Sequence, residues 1–127
     1  MTLSSPLLLD THIIVWMATG DPRLRRIDQD ALRDPGRELI VSSVVAFELT
    51  DLQTRGRIAM TERIDYLRPR MSFRLAALPD NAWKVALDLP DFHRDPVDRM
   101  LIAHALCEGY ALATADANIR RYSVECI

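Results

Sequence analysis

Four acidic residues stand where apolar runs end or turn. Asp10 follows Leu7-Leu8-Leu9, Glu48 lies in Val44-Val45-Ala46-Phe47-Glu48-Leu49, Asp98 lies in Asp95-Pro96-Val97-Asp98-Arg99-Met100-Leu101-Ile102-Ala103, and Asp116 follows Ala113-Thr114-Ala115. Carboxylates crowded together repel and raise one another's pKa. A hard divalent cation relieves that cost, and all-oxygen ligation suits Mg²⁺ or Mn²⁺. Such an ion keeps waters, activates one as a nucleophile and neutralises charge on a phosphate. If Asp10, Glu48, Asp98 and Asp116 converge, the chemistry they point to is metal-assisted hydrolysis at a phosphate.

Each acid also has a plainer use. Asp10 is placed to cap a helix opening at Thr11, and Asp116 to cap the turn after it. Asp95 fits an N-cap, Pro96 the first helical position and Asp98 the third, all at the positive end of the helix dipole. Yet Asp98 shares a face with Leu101, Ile102 and Ala105, which should pack on a sheet. Glu48 falls within the apolar stripe of Val44, Val45, Leu49 and Leu52. An inward carboxylate is costly unless something positive meets it, whether a metal or an arginine. Asp95 is therefore read as a cap that supports the ligands, and Asp98 as a ligand.

The elements that must position these residues alternate strand and helix. Pro6 to Leu9 is a buried strand, and Thr11 to Met17 a helix ending near Gly20. A short helix is expected around Ile27 to Arg33, broken by Pro35-Gly36. Leu39-Ile40-Val41 is a second strand, followed by a helix from Val44 to about Arg55, capped by Ser42 or Ser43 and stopped at Gly56. Another helix is expected over Thr61 to Leu67, before Pro69. Phe73 to Ala76 is a third strand, and Asn81 caps a helix through about Leu87. Asp91 to Arg94 forms a loop, Pro96 to Glu108 a helix stopped by Gly109, and Ala111 to Thr114 a fourth strand. Asp116 to Arg121 is a helical turn, with a short last strand at Val124. This order implies an α/β fold with a mostly parallel sheet of four to five strands and helices on both faces. Ligands in such sheets bind beyond the carboxyl ends of the strands, which gives Asp10 and Asp116 one address.

At 127 residues, one domain spanning 1–127 is expected. No apolar run approaches a membrane span, and Met1 to Leu9 lacks the basic region of a signal peptide. Cys107 and Cys126 do not make a disulfide framework, so a reducing cytoplasm is the expected setting. The net charge of −2 argues against bulk attraction to nucleic acid. Lys84 is the only lysine among 16 basic residues. Arginine forks grip phosphates and carboxylates, though a GC-rich genome also explains the bias.

Taken in order, Leu7-Leu8-Leu9-Asp10-Thr11-His12, Ser42 to Leu49, Asp95 to Ala103 and Ala113-Thr114-Ala115-Asp116 resemble the PIN-domain pattern. They most resemble its VapC-type toxins, the ribonuclease halves of bacterial and archaeal toxin–antitoxin pairs. The likeness runs from Leu7 to about Tyr122, with Phe47 where Trp is frequent and Val97 where Phe is common. The resemblance implies a three-layer α/β/α fold with the first and fourth strands adjacent. It also implies a metal-dependent endoribonuclease with Asp10, Glu48, Asp98 and Asp116 as its acidic cluster, leaving a 5′-phosphate and a 3′-hydroxyl. Thr11, Ser43 and Thr114 are hydroxyls close enough to orient the ligands. Arg99, beside Asp98, is placed to hold an RNA phosphate or to pair with an acid. A cognate antitoxin occupying the groove and a homodimer are further implied.

Other features carry less. His104 and Cys107 lie three apart on one helix, but His12 and His93 lack a paired spacing, so zinc is not expected. Trp16 and Trp83 are read as core or interface residues, and Arg23 to Arg26 and Arg68 to Arg70 as solvated faces. Two alternatives share the fold class. One is a phosphoacceptor receiver domain, disfavoured because Thr11 follows Asp10 and Lys84 sits mid-chain. The other is a PIN-like module that has lost catalysis and only binds RNA or a partner, against which the retention of all four acids speaks.

Overall fold

The computed structural model describes residues 4–127; the first three residues of the stretch read as lacking a leader lie outside the described residues. Strands β1 (Leu7–Leu9), β2 (Leu39–Ser42), β3 (Phe73–Ala76) and β4 (Ala111–Ala113) form one sheet in the order β3-β2-β1-β4. Every pairing is parallel. Leu7, Leu8 and Leu9 pair with Ala111, Leu112 and Ala113, so β1 and β4 are adjacent as the resemblance implied. Leu7 and Leu8 pair on the other side with Leu39 and Ile40. All three leucines are fully buried, the expected state of a central parallel strand covered on both faces.

Helices α1 (Thr11–Thr19), α2 (Gln29–Arg33), α3 (Ser43–Thr54), α4 (Ile64–Met71), α5 (Ala82–Leu87) and α6 (Pro96–Glu108) flank the sheet. Helix α3 packs against α1 and α6, and α5 against α6. Leu101, Ile102 and Ala105 of α6 are fully buried, as their spacing predicts. Asp95 caps α6 by accepting from Val97 N at 2.9 Å and Asp98 N at 3.2 Å, with Pro96 opening the helix. Among the described residues no helix is long and apolar enough to cross a membrane.

The structure departs from the sequence reading in four places. Pro22–Arg26 forms a 3-10 turn ahead of α2, since Pro22 presets its first residue and Asp21 accepts from Arg23 N. Helix α4 begins at Ile64 and runs through Pro69 rather than stopping before it. One more turn carries Met71 onto the core beside Ile64 and Leu67, and the missing bond falls between exposed Asp65 and exposed Pro69. Asn81 occupies the start of α5 but makes no side-chain cap bond. The last pairing is a bridge from Leu112 to Cys126, two residues beyond Val124. Tyr122, almost buried, holds the chain against the loop at Pro90 and delays its return to the sheet.

Helix α6 ends at Gly109, whose φ of 72° lies in the left-handed region. A Cβ there meets nothing within 4 Å. Gly109→Ala is therefore expected to cost about 1–2 kcal/mol of backbone strain alone, read as a lower urea midpoint with an unchanged slope.

Candidate metal centre

Asp10 leaves β1 at its carboxyl end, Glu48 projects from the second turn of α3, Asp98 from the first turn of α6, and Asp116 follows β4. The sheet order brings the ends of β1 and β4 together, and α3 and α6 pack beside them. All four carboxylates line one cavity of about 330 Å³, with His12, Trp16 and Arg23 on its wall.

Each acid is held by short-range donors. Asp10 Oδ1 accepts from Thr11 N at 2.8 Å, and its Oδ2 from Thr114 Oγ1 at 2.7 Å. Thr11 Oγ1 donates to Glu48 Oε1 at 2.5 Å, tying α1 to α3. Asp116 Oδ1 accepts from Asn118 N and Ile119 N at 2.8 and 3.0 Å, so it caps the turn. Asp116 N in turn donates to Thr114 Oγ1 at 3.1 Å. Thr114 thus bridges two of the acids, and Asp95 stands at the head of α6 close enough to press on Glu48 and Asp98. Ser43 behaves differently. It is exposed at the start of α3, whereas Ser42 caps that helix and contacts His104 Nδ1 at 2.9 Å. The N-cap sits at the buried end of β2, so its hydroxyl turns inward while the next side chain turns out.

Arg99 takes neither of its expected roles. Its guanidinium donates to the carbonyls of Ala86, Leu89, Pro90 and His93 at 2.7 to 3.1 Å. Both Nη groups are spent on carbonyls, which leaves at most the Nε–H for any other acceptor. Arg99 instead fastens the end of α5 and the loop before α6. Tyr122 Oη completes the fastening: it accepts from Phe92 N and His93 N and donates to Pro90 O at 2.6 Å.

Two histidines that the spacing rules set aside belong to the site. His93 Nε2 lies 2.7 Å from Asp98 Oδ2 and 3.3 Å from Asp116 Oδ2. His93, Asp98 and Asp116 form a group whose atoms all lie within 4.8 Å of one another. His12 Nδ1 lies 3.4 Å from Asp10 Oδ2. Their one sequence signal is position: His12 two residues after Asp10, and His93 in the loop leading to the Asp95 cap. Trp16 is nearly buried beneath Arg23 and Arg26, while Trp83 is exposed on α5.

The electrostatics follow from crowding. Burial raises Asp98 from the usual carboxylate range to about 8, with Asp10, Asp95, Glu48 and Asp116 adding repulsion. Burial also raises Glu48, partly offset by the Thr11 hydrogen bond. Among the described residues no arginine or lysine pairs with Asp10, Glu48, Asp98 or Asp116; the basic side chains within 4 Å of these acids are histidines. The buried arginine partner that would account for Glu48 is therefore absent among these residues.

Asp98 keeps its proton in the folded chain up to about pH 8, against 3.8 when exposed. Between those values the folded state binds more protons than the unfolded one, so stability falls as pH rises across the interval and levels beyond it. In EDTA, urea denaturation should show that decline in the native chain. Asp98→Asn, which keeps the neutral shape, should flatten it and be the more stable form at pH 8.

Residues 7–125 match the PIN domain family model. The chain is 30% identical over 124 residues to Ribonuclease VapC22 of Mycobacterium tuberculosis, covering 91% of this chain and 90% of the relative. Among solved structures, DNA-bound VapBC from Salmonella typhimurium is similar at a TM-score of 0.67 and 16% identity, over 97% of each chain. VapBC2 from Rickettsia felis, bound to a promoter DNA fragment, is similar at 0.65 and 17%, over 95% of this chain and 96% of that one. A match over nearly the whole chain, with the four acids gathered at the carboxyl end of a parallel sheet, leaves one conclusion: this chain belongs to the PIN-domain family, among its VapC-type members.

Proposed function

We propose that this chain is the toxin of a toxin–antitoxin pair, an endoribonuclease that hydrolyses RNA phosphodiester bonds with a divalent ion, Mg²⁺ or Mn²⁺. The observation that carries the reading is the gathering of four carboxylates in one cavity with no arginine or lysine to balance them among the described residues. An all-oxygen set fits a hard cation. Asp98 Oδ1 and Glu48 Oε2 have no hydrogen-bond donor among the described residues, so each keeps its lone pairs for such an ion. Asp10, Glu48, Asp98 and Asp116 would hold it. When bound, the ion supplies charge neutralisation and activation of water.

The chain's own residues do the rest. Thr114 and Thr11 N fix both oxygens of Asp10, and Thr11 Oγ1 fixes one oxygen of Glu48, so these carboxylates need little reordering. Asp98 would have to release its proton to solvent to serve as a ligand. In the reaction a water oxygen bonds to phosphorus, the P–O3′ bond breaks and O3′ takes a proton, leaving a 5′-phosphate and a 3′-hydroxyl. Arg23 on the cavity wall is 57% exposed in its side chain but is paired with Asp21 at 2.7 Å, so it would meet the polyanion only by sharing that pairing.

Protein partners are supported by apolar surface. Phe47, 68% exposed and adjacent to Glu48, and Trp83 and Leu87 on α5 are unusual surface residues. Two of the solved neighbours are VapBC assemblies, which supports a cognate antitoxin as partner. A homodimer and a cytoplasmic setting complete the proposal.

Purified protein should cut a structured total-RNA sample into discrete fragments with Mg²⁺ or Mn²⁺, and not in EDTA. Asp98→Ala should lower the rate by at least about a hundredfold, the upper end of what losing a group that only orients a metal ligand costs. Cleavage that survived Asp98→Ala would overturn this site. Absence of both cleavage and carboxylate-dependent metal binding would favour the partner-binding alternative. Calorimetry should also show metal affinity rising with pH up to about 8, because the ion must displace the Asp98 proton, and Asp98→Asn should lose that slope.

A further inference from the structure

His93 invites assignment as a metal ligand, since it shares a tight group with Asp98 and Asp116. Its second ring nitrogen decides otherwise. Asp95 N lies 3.3 Å from His93 Nδ1 and can only donate, so Nδ1 carries a lone pair in this geometry. The proton of the neutral ring is then on Nε2, which is hydrogen-bonded to Asp116 Oδ2 at 3.3 Å and lies 2.7 Å from Asp98 Oδ2. A ligating Nε2 would need its proton moved to Nδ1, against the Asp95 amide. His12 repeats the pattern: Ala115 N donates to its Nε2 at 3.0 Å, leaving Nδ1–H toward Asp10 Oδ2.

The ring is also held from behind. His93 N donates to Tyr122 Oη at 2.9 Å, and His93 O accepts from Arg99 Nη1 at 3.0 Å. Arg99 follows Asp98 in the same turn of α6. One side chain of that turn therefore fixes the loop that bears His93, and His93 fixes the carboxylate of the other.

Resting on the metal reading of the site, we propose that His93 is a positioning residue, not a ligand: its Nε2–H is hydrogen-bonded to Asp116 Oδ2 while the same nitrogen sits against Asp98 Oδ2, which holds the two carboxylates side by side and leaves Asp98 Oδ1 for the ion. A backbone amide sets the tautomer, and Arg99 with Tyr122 sets the ring's place.

Nitrogen-15 spectra of the full chain in EDTA, assigned against His93→Gln, should show His93 protonated at Nε2 and bare at Nδ1. The opposite tautomer would overturn the proposal, and this arm is independent of any metal. Titration with Mn²⁺ should show His93→Ala weakened about 10- to 100-fold, the usual cost of losing a group that orients a ligand. His93→Gln, whose amide N–H replaces Nε2–H, should recover most of that loss. The electron spin echo of the Mn²⁺-loaded native protein should show no directly bound imidazole nitrogen. Direct coupling, or Gln no better than Ala, would make His93 a ligand and end the proposal; unchanged affinity in His93→Ala would end it too. A native chain that binds no Mn²⁺ would refute the metal reading of the site, while the tautomer would still decide the role of His93.

Discussion

Repulsion among carboxylates at the carboxyl end of the sheet is the constraint on which the rest of this structure turns. Like charges this close, partly withdrawn from water, cannot all ionise without something positive between them. The fold answers by holding a proton on Asp98 to about pH 8 and by surrounding the other acids with donors rather than cations. Threonine hydroxyls, backbone amides and imidazole nitrogens all orient oxygens, and none brings a full permanent charge. An arginine at the centre would have relieved the repulsion and filled the place of an ion.

The same constraint explains where the arginines went. Lys84 aside, every basic residue is an arginine, yet the four central acids pair with none of them among the described residues. Arg99, nearest in sequence to Asp98, points away and spends its fork on carbonyls at the end of α5 and in the loop before α6. Its value is mechanical: a rigid planar donor array closes a segment whose backbone groups lack sheet or helix partners. Arg23 and Arg26 lie over Trp16, with Arg23 paired to Asp21, and among the described residues neither pairs with the four acids.

Topology does the gathering. With β1 and β4 adjacent, residues 10 and 114 are bonded neighbours although about a hundred positions separate them. Helices α3 and α6 then deliver Glu48 and Asp98 from faces whose apolar residues pack inward. Both side chains are drawn toward the core by their neighbours and stop at the cavity. Burial of the helix face and perturbation of the acid are thus one event.

Most of the architecture was legible in the chain itself. Continuous apolar triplets marked β1, β2 and β4, and Asp95-Pro96 with Gly109 bounded α6, because caps, proline and glycine act over a few residues and need no tertiary partner. The four acids were legible by type and by their place at element ends. Other features depended on distance in space. Pro69 continues α4 because Met71 gains burial, and the last bridge falls at Cys126 because Tyr122 is anchored elsewhere. Arg99 became a loop fastener, Ser42 rather than Ser43 turned inward, and His12 and His93 joined the acids. A side chain's charge and reach belong to its sequence; which atoms it meets is decided by long-range packing. The chain alone placed acids at the ends and inward faces of the elements of a parallel sheet, and only the tertiary structure decided that all four meet and which groups hold them there.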